Sequence, residues 1–570
     1  MSTSTKSTFT QHIETELARR AAHYLHERYL VVDYYRIRRR LAYPLPVRSL
    51  HIPELPIPDI PLYPWATWMT WELEERVHSL GWAAQLLNDD AAREAVCIDL
   101  LNLAQWPQYR QYPNPDLSLG HATRLLATSL QRWKWLPAEI DSSIENALRR
   151  ILQDSGPLVQ ERLGAYRDFQ QLLAAPDPHL IIGNIPTIGS LGVAMAANAI
   201  DAADKSTFNA YLTNAILALF ALRENSLSEG VAYDGYVLDF VMDWLAFLPQ
   251  KDKSTLMDHP QFGRFWDESL LLGAPGNVAQ VAEMGDVEAR QMPFHISAQA
   301  KANAAQPLPE RAWYLQRCPL EMLRADALAA LHLSADQIVQ SPQTPAAGAA
   351  HAHCALALRG GWEEDDVAVV IAASNSPMGH IHPDNGAVTI GTRGEWFIAT
   401  PGYQQYLRNS EREFSTGPAS RNTPLINGQT QISKAAQVIE LQSENRCHHA
   451  EMDLTRCYPE DLQLQQVSRR VQLQENRRIV IEDTIRGAAI NDITYFWHAH
   501  PDAAWWIEDG RARIYFQHKT LWISSPQIEL QENQLQRLRG SRGQLTLQAK
   551  VLLPAATESV VRWEFVFEDE

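Results

Sequence analysis

The residues with the clearest chemical capacity stand together in Gly379-His380-Ile381-His382-Pro383-Asp384-Asn385-Gly386. Two imidazoles at i and i+2 project to one side of an extended backbone. With further ligands such a pair holds a metal. With a partner acid or base in reach it moves protons instead. A turn carrying surface histidines is the plain alternative. A second pair, His498-Ala-His500, follows a strand-like run and reads as structural. Upstream, Asp234, Asp239 and Asp243 offer carboxylates of the kind that glycosidic hydrolysis uses in pairs. Trp65, Trp68 and Trp71 could stack on sugar rings, although aromatic side chains more often pack a core.

Two kinds of element must position these groups. From Gln11 to Arg40 apolar residues recur at spacings of three and four, which predicts a helix. The run Arg36, Arg38, Arg39 and Arg40 then reads as a solvated helix end. Pro44 through Pro64, with Pro53, Pro56, Pro58 and Pro61, is too rich in proline for a helix and predicts an extended arm. Helical periodicity returns over 68–87, 90–105, 121–133, 137–152, 158–174 and 189–202, then over 206–224, 237–247, 262–272 and 319–331. Short breaks between helices favour antiparallel hairpins, and a ring of them, an (α/α) toroid, supplies a central cleft. The small, proline-bearing stretch 341–350 reads as a linker. Beyond it the period changes from 3.6 to 2, with Gly, Asn and Asp turns between short strands, as in a β-sandwich. The expected fold is therefore α+β and multidomain. It has an N-terminal helix and arm over 1–64, a toroid over 65–340, the linker over 341–350, and an antiparallel β-sandwich over 351–570.

Composition narrows the partners. The 570 residues carry 50 basic and 67 acidic side chains, a net charge of −17, so no basic surplus exists to displace counterions from nucleic acid. Cys97, Cys318, Cys354, Cys447 and Cys457 form no C-x-x-C pair and read as free thiols. No leader-like apolar segment and no run of about 18 apolar residues is evident. A soluble, cytoplasmic protein without membrane partners is expected, its saccharides arriving as imported oligomers.

The segment 379–386, then Gly394-Glu-Trp-Phe-Ile-Ala-Thr-Pro-Gly-Tyr403, then Ser420-Arg-Asn-Thr-Pro-Leu-Ile-Asn-Gly-Gln429 resemble, in order and spacing, the heparinase II/III-like proteins. Ala450–Tyr458 and Ile479–Ile485 extend the resemblance, which covers most of residues 60–510. The family comprises lyases of uronic-acid polymers, heparinases and oligoalginate lyases among them, with a toroid followed by a β-sandwich. The resemblance implies β-elimination, in which the C5 proton of a uronate is removed and the C4 oxygen expelled, at a site between toroid and sandwich.

On the same resemblance Gly183-Asn184 opens a loop whose Asn184 binds the substrate carboxylate. Glu229-Gly-Val-Ala-Tyr-Asp-Gly-Tyr236 carries the catalytic tyrosine, Tyr236 first and Tyr233 second. His380, Tyr236 and Asn184 are thus the implied catalytic residues, and Tyr233, Arg408, Arg412 and Glu229 the implied substrate-binding ones. A base role for Tyr236 calls for a cation that lowers its pKa from about 10, and Arg408 and Arg412 are the candidates. The chain departs from the family at Thr400, where members carry Asp, and at Arg421, where they carry His. With His382 those positions hold zinc in metal-bearing relatives, so no cofactor is expected. His448 and His449 point to opposite faces of a strand and are poor substitutes. Pro186, close to Asn184, is a further departure. The expected partner is an anionic oligosaccharide, and a homodimer is the assembly to look for. The alternatives are a glycoside hydrolase built on the aspartates and a diverged saccharide-binding protein without turnover.

Overall fold

The computed structural model of the chain describes residues 8–33, 40–50, 63–224, 228–286, 293–342, 349–351, 354–374, 380–400, 408–541 and 545–568. Arg36, Arg38, Arg39, the prolines from 53 to 61, positions 343–348 of the expected linker, Gly379 and the Pro401–Tyr403 motif lie outside the described residues. Two compact units account for the chain. One comprises Met1–Leu222, Tyr233–Gly263 and Gln291–Ser341, the other Arg223–Ala232, Arg264–Arg290 and Pro342–Glu570.

The first unit is helical and toroid-like. Helix α1 spans Thr8–His26, not Gln11–Arg40 as its periodicity predicts. Strands β1 (Tyr29–Asp33) and β2 (Arg40–Pro44) pair antiparallel after it. The run Tyr-Leu-Val-Val is aromatic and β-branched, and stiff χ1 rotamers favour pleated backbone over helix. Helices α2 (Tyr63–Leu86), α3 (Asp90–Ala104), α4 (Leu117–Arg132) and α5 (Ala138–Leu163) follow. Helix α5 runs through Pro157 where two helices were expected. Ser155, Gly156 and Val159 are buried in that turn, so packing outweighs a proline penalty of about 3 kcal/mol. Short α6 (Phe169–Leu173) and α7 (Pro178–Ile182) lead into α8 (Asn184–Ala199). Gly183 is the N-cap of α8, so Pro186 falls in its first turn, where a missing N–H costs no bond.

Helices α9 (Lys205–Glu224), α10 (Val231–Leu245) and α11 (Gln250–Met257) continue the array, while most of α12 (Pro260–Leu271) belongs to the second unit. Helix α13 (Phe294–Ala305), absent from the expectation, and α14 (Pro309–Arg317) precede α15 (Ala325–Leu333). The stretch Pro178–Ala199 is long and apolar enough to cross a membrane, which the expectation of no such run overlooked. Its apolar window is 78% buried inside the protein, as in a core helix.

The second unit contains a short antiparallel pair, β3 (Gly273–Ala274) and β4 (Asn277–Val281), and two larger sheets. A five-stranded antiparallel sheet orders β5 (Ala349–His351), β6 (Ala355–Arg359), β7 (Ala368–Ala372), β8 (Val388–Thr392) and β9 (Glu395–Ile398) in sequence. The other is ten-stranded and centred on two long partners, Arg478–His498 and Thr546–Glu568, paired antiparallel from Arg478↔Val566 to His498↔Thr546. Along the last strand Val561, Trp563, Phe565 and Phe567 point inward while their neighbours face out, the period-2 pattern of a half-buried strand. They join Leu356, Val369, Ile390 and others of the first sheet in one apolar core. All five cysteines are free.

Candidate active site

In the helical unit the implied tyrosine is the hub of a buried polar group. Tyr236 sits in the second turn of α10 and is 1% exposed. The Trp71 indole N–H donates to its hydroxyl oxygen (2.9 Å), and His121 Nε2 lies within short hydrogen-bond reach of both groups. An indole nitrogen only donates, so Nε2 is the acceptor and the His121 proton resides on Nδ1. That proton is donated to Glu74 Oε2 at 2.8 Å. The result is a hydroxyl–imidazole–carboxylate relay, Tyr236–His121–Glu74, the logic by which a hydroxyl is activated and an imidazole held in one tautomer. Phe294 stacks on Tyr236 with centroids 4.3 Å apart. Gly235 makes room beside it, since a Cβ there would meet His295 Cα at 2.6 Å.

Burial pushes the His121 imidazole down to about 3 against the pull of Glu74, so the ring is neutral. Burial would raise Glu74, but Arg124 and His121 hold it well below the usual carboxylate range. Arg124 bonds Glu74 at 2.6 Å and Arg324 reaches it at 3.0 Å. A polar cavity of about 210 Å³ opens beside the group, walled by Trp68, Trp71, Glu72, Arg20, Arg324 and Pro293. Trp65, by contrast, is a core residue with no exposure.

Beyond Arg124 the charges continue into the core. Arg124 Nη1 bonds Asp239 at 2.6 Å. Asp239, Asp243 and Asp326 present carboxylate oxygens within 4.8 Å of one another, a set able to hold a metal ion. The expectation of a chain without any metal site is therefore corrected. The ligand positions that the resemblance implies are 382, 400 and 421, whereas this set lies on α10 and α15. Here Lys301 Nζ stands among the three, at 2.6, 2.7 and 2.6 Å from Asp239, Asp243 and Asp326. Its ammonium is held above its ordinary pKa, the carboxylates outweighing burial. Two of the three aspartates proposed for hydrolysis are thus committed to ion pairs, and only Asp234 stands half-buried, in the first turn of α10.

The sheet unit contains the second candidate group. His380 Nδ1 lies 3.1 Å from Asp286 Oδ2, and His382 Nε2 lies 2.7 Å from Asp286 Oδ1. A carboxylate accepts only, so each of these nitrogens is the donor. The basic lone pair of His380 is thereby placed on Nε2, while Arg421 faces His382 Nδ1 in a short contact. Burial would raise Asp286, but hydrogen bonds from both imidazoles bring it below its ordinary value. Arg421 also lies 3.5 Å from Asp384, and Arg412 lies 3.8 Å from Asp286. Backbone geometry locks the group together. Asp286 N–H donates to the His380 carbonyl at 2.8 Å, and a Cβ on Gly285 (φ +84°) would approach that oxygen to 2.2 Å. Gly230, next to Glu229, is also at positive φ (+90°), and a Cβ there would lie 3.3 Å from Ile381 Cδ1.

The other implied residues are distributed as follows. Asn184 is buried at the first position of α8 and does not cap it. Helix α8 packs on α4 through glycines: a Cβ on Gly120 would meet Ile188 O at 2.9 Å, and one on Gly192 would meet Gly120 Cα at 3.0 Å. That contact brings the Asn184 helix against the helix of His121. Tyr233 is buried on α10, and Arg408 is exposed. Thr400 is buried. His448 bonds Ser443 and His449 pairs with Glu440, each locally. His498 is fixed between Ala419 O and Thr546 Oγ1. Glu74, His121 and Asp286 were missed, and Trp71 was read as a residue for sugar stacking or core packing. The available signal was charged side chains at helical spacing on otherwise apolar faces, Glu74 with His78 and His121 with Arg124.

Comparison with known proteins agrees with this architecture. Residues 342–563 match the family model described as heparinase II/III-like, C-terminal. Among solved structures, heparan sulfate lyase HepC from Pedobacter heparinus aligns over 100% of this chain and 84% of its own, with 12% identity and a TM-score of 0.53. A heparinase III described as the BT4657 gene product aligns over 97% and 83%, with 11% identity and a TM-score of 0.57. Another heparinase III aligns over 88% and 77%, with 12% identity and a TM-score of 0.57. No curated protein sequence matches the chain. Residues 342–563 thus match the heparinase II/III-like C-terminal model, and the chain as a whole has the fold of the heparinase III structures.

Proposed function

We propose that the protein is a lyase that cleaves uronic-acid-containing oligosaccharides by β-elimination, with Tyr236 as the proton-transferring residue. The observation that carries the reading is the relay Tyr236–His121–Glu74 beside a polar, tryptophan-walled cavity. Tyr236 takes the C5 proton of the uronate as its own passes to His121 Nε2. The C5 electron pair forms the C4–C5 double bond and the C4–O bond breaks. The proton then returns through Tyr236 to the departing oxygen. Burial makes His121 a weak base, so Glu74 on Nδ1 supports the imidazolium while it forms and the proton is then readily given back. The Trp71 N–H supports negative charge on the phenolic oxygen. Asn184 is assigned to the substrate carboxylate, where enolate-like charge accumulates.

The test is ultraviolet absorbance of the C4–C5 double bond across alginate, heparin-type, galacturonan and ulvan-type oligomers. Absorbance is expected on at least one of them, and Tyr236→Phe should lower that rate by about 100-fold or more with little change in KM. Oligomer binding without absorbance on any substrate would replace the lyase with a saccharide-binding protein. Cleavage without absorbance would replace it with a hydrolase.

A further inference from the structure

A second cavity, of about 300 Å³, lies in the helical unit where helices end rather than begin. Arg132 closes α4, Leu245 closes α10, Ala305 closes α13 and Leu333 closes α15, and all four line it. Tyr236, His121 and Phe294 lie toward the opposite, N-terminal ends of α10, α4 and α13. This cavity is therefore separate from the proposed active site and does not depend on that reading.

Its walls join an apolar surface to hydrogen-bond donors that lack acceptors. Met242, Leu245, Met257 and Leu333 supply the apolar part. Trp82, 7% exposed, has no partner for its indole Nε1 among the described residues, and Arg132 has none for Nη1. Lys253 lines the same cavity and forms no ion pair among the described residues. The acidic side chains present are already committed. Asp243 faces Arg132 and Lys301, and Asp326 faces Lys301. Orphaned buried donors are costly, and two of them, Trp82 Nε1 and Arg132 Nη1, belong to residues lining this space beside half-buried Lys253; Leu333, 68% exposed, marks its solvent side.

We infer that this cavity binds a small carboxylic acid with a compact apolar body. Its carboxylate accepts from Arg132, Trp82 and Lys253, and its hydrocarbon part packs against Met242, Leu245 and Met257. A neutral ligand would leave Lys253 without a counter-charge, and a cationic one would be repelled by it.

Calorimetric titration of the full chain with hexanoate, hexanol and hexylammonium tests the inference. Hexanoate should bind at least about tenfold more tightly than either control. Lys253→Gln should weaken hexanoate about tenfold and leave hexanol unchanged. Leu333→Asp, an exposed change that adds negative charge at the opening, should weaken it similarly. Thermal denaturation of each variant checks that it is folded. No heat with hexanoate at millimolar concentration, equal binding of all three ligands, preference for the ammonium, or unchanged hexanoate affinity in both folded variants would each overturn the assignment.

Discussion

The two candidate groups share a device, a histidine held in one tautomer by a carboxylate. In the helical unit Glu74 takes the Nδ1 proton of His121 and leaves Nε2 toward Tyr236. In the sheet unit Asp286 accepts the Nδ1 proton of His380 and leaves the lone pair on Nε2. The carboxylate is the partner that motif reading does not find, because it lies 47 positions from one histidine and 94 from the other. Asp286→Asn turns an acceptor into a side chain that also donates, so the His380 ring is free to reverse its tautomer. That variant is expected to lower lyase kcat by about 10- to 100-fold, while circular dichroism and substrate KM stay near the parent values. Parent-like kcat in a folded Asp286→Asn protein would remove His380 from the chemistry.

At the scale of elements, the position of His121 depends on how closely α4 approaches α8. Gly120 and Gly192 form that contact, and neither shows positive φ, so the need is for space and not for backbone freedom. Gly120→Ala would gain up to about 1 kcal/mol in helix propensity. Against this, its Cβ would meet backbone, Ile188 O at 2.9 Å, and overpacking of that kind costs about 1–3 kcal/mol. The packing cost wins. Gly120→Ala should lower the urea midpoint, and activity should fall with it because the displaced helix carries His121. A midpoint at or above the parent value would show that α8 yields without cost. The same contest explains the misread elements. At Pro157 buried packing overrides a local break, whereas at Tyr29–Asp33 β-branched residues paired with a neighbouring strand override a helix-like spacing.

Across the whole molecule, buried histidines dictate how stability responds to acid. Burial holds His78 and His498 at about 4 and His121 at about 3, against an ordinary value of 6.5. Between these limits the unfolded chain binds protons that the native state refuses, so stability is complete above about pH 6.5 and is lost as pH falls toward 4. Glu283 has the opposite sign. Burial lifts its carboxyl to about 7 despite Arg421, so it takes stability away as pH rises from 4.5 to 7. Three imidazoles against one carboxyl give a net loss on acidification. The melting temperature should drop between pH 6.5 and 4.5, and His78→Leu should make that drop shallower. An unchanged slope in the variant would mean that His78 is protonated in the native state.

The sequence by itself determined the class of the fold and named Tyr236, His380 and His382 as candidate side chains. A period of 3.6 giving way to 2 is written in each segment's own residues, because burying one face of a helix or strand needs nothing beyond that segment. The His380–His382 loop and Tyr236 were legible through resemblance to the family. What only the tertiary structure decided was which charges meet. Tyr236 and His121 are 115 positions apart, and Glu74, Arg124, Asp239 and Lys301 come from four different helices. Such pairs leave no periodic trace, since a buried charge is compensated by whatever the packing of distant helices brings beside it. The metal-capable aspartates were missed for the same reason. Their spacing on α10 was plain, but Asp326 and Lys301 reach them only through the fold.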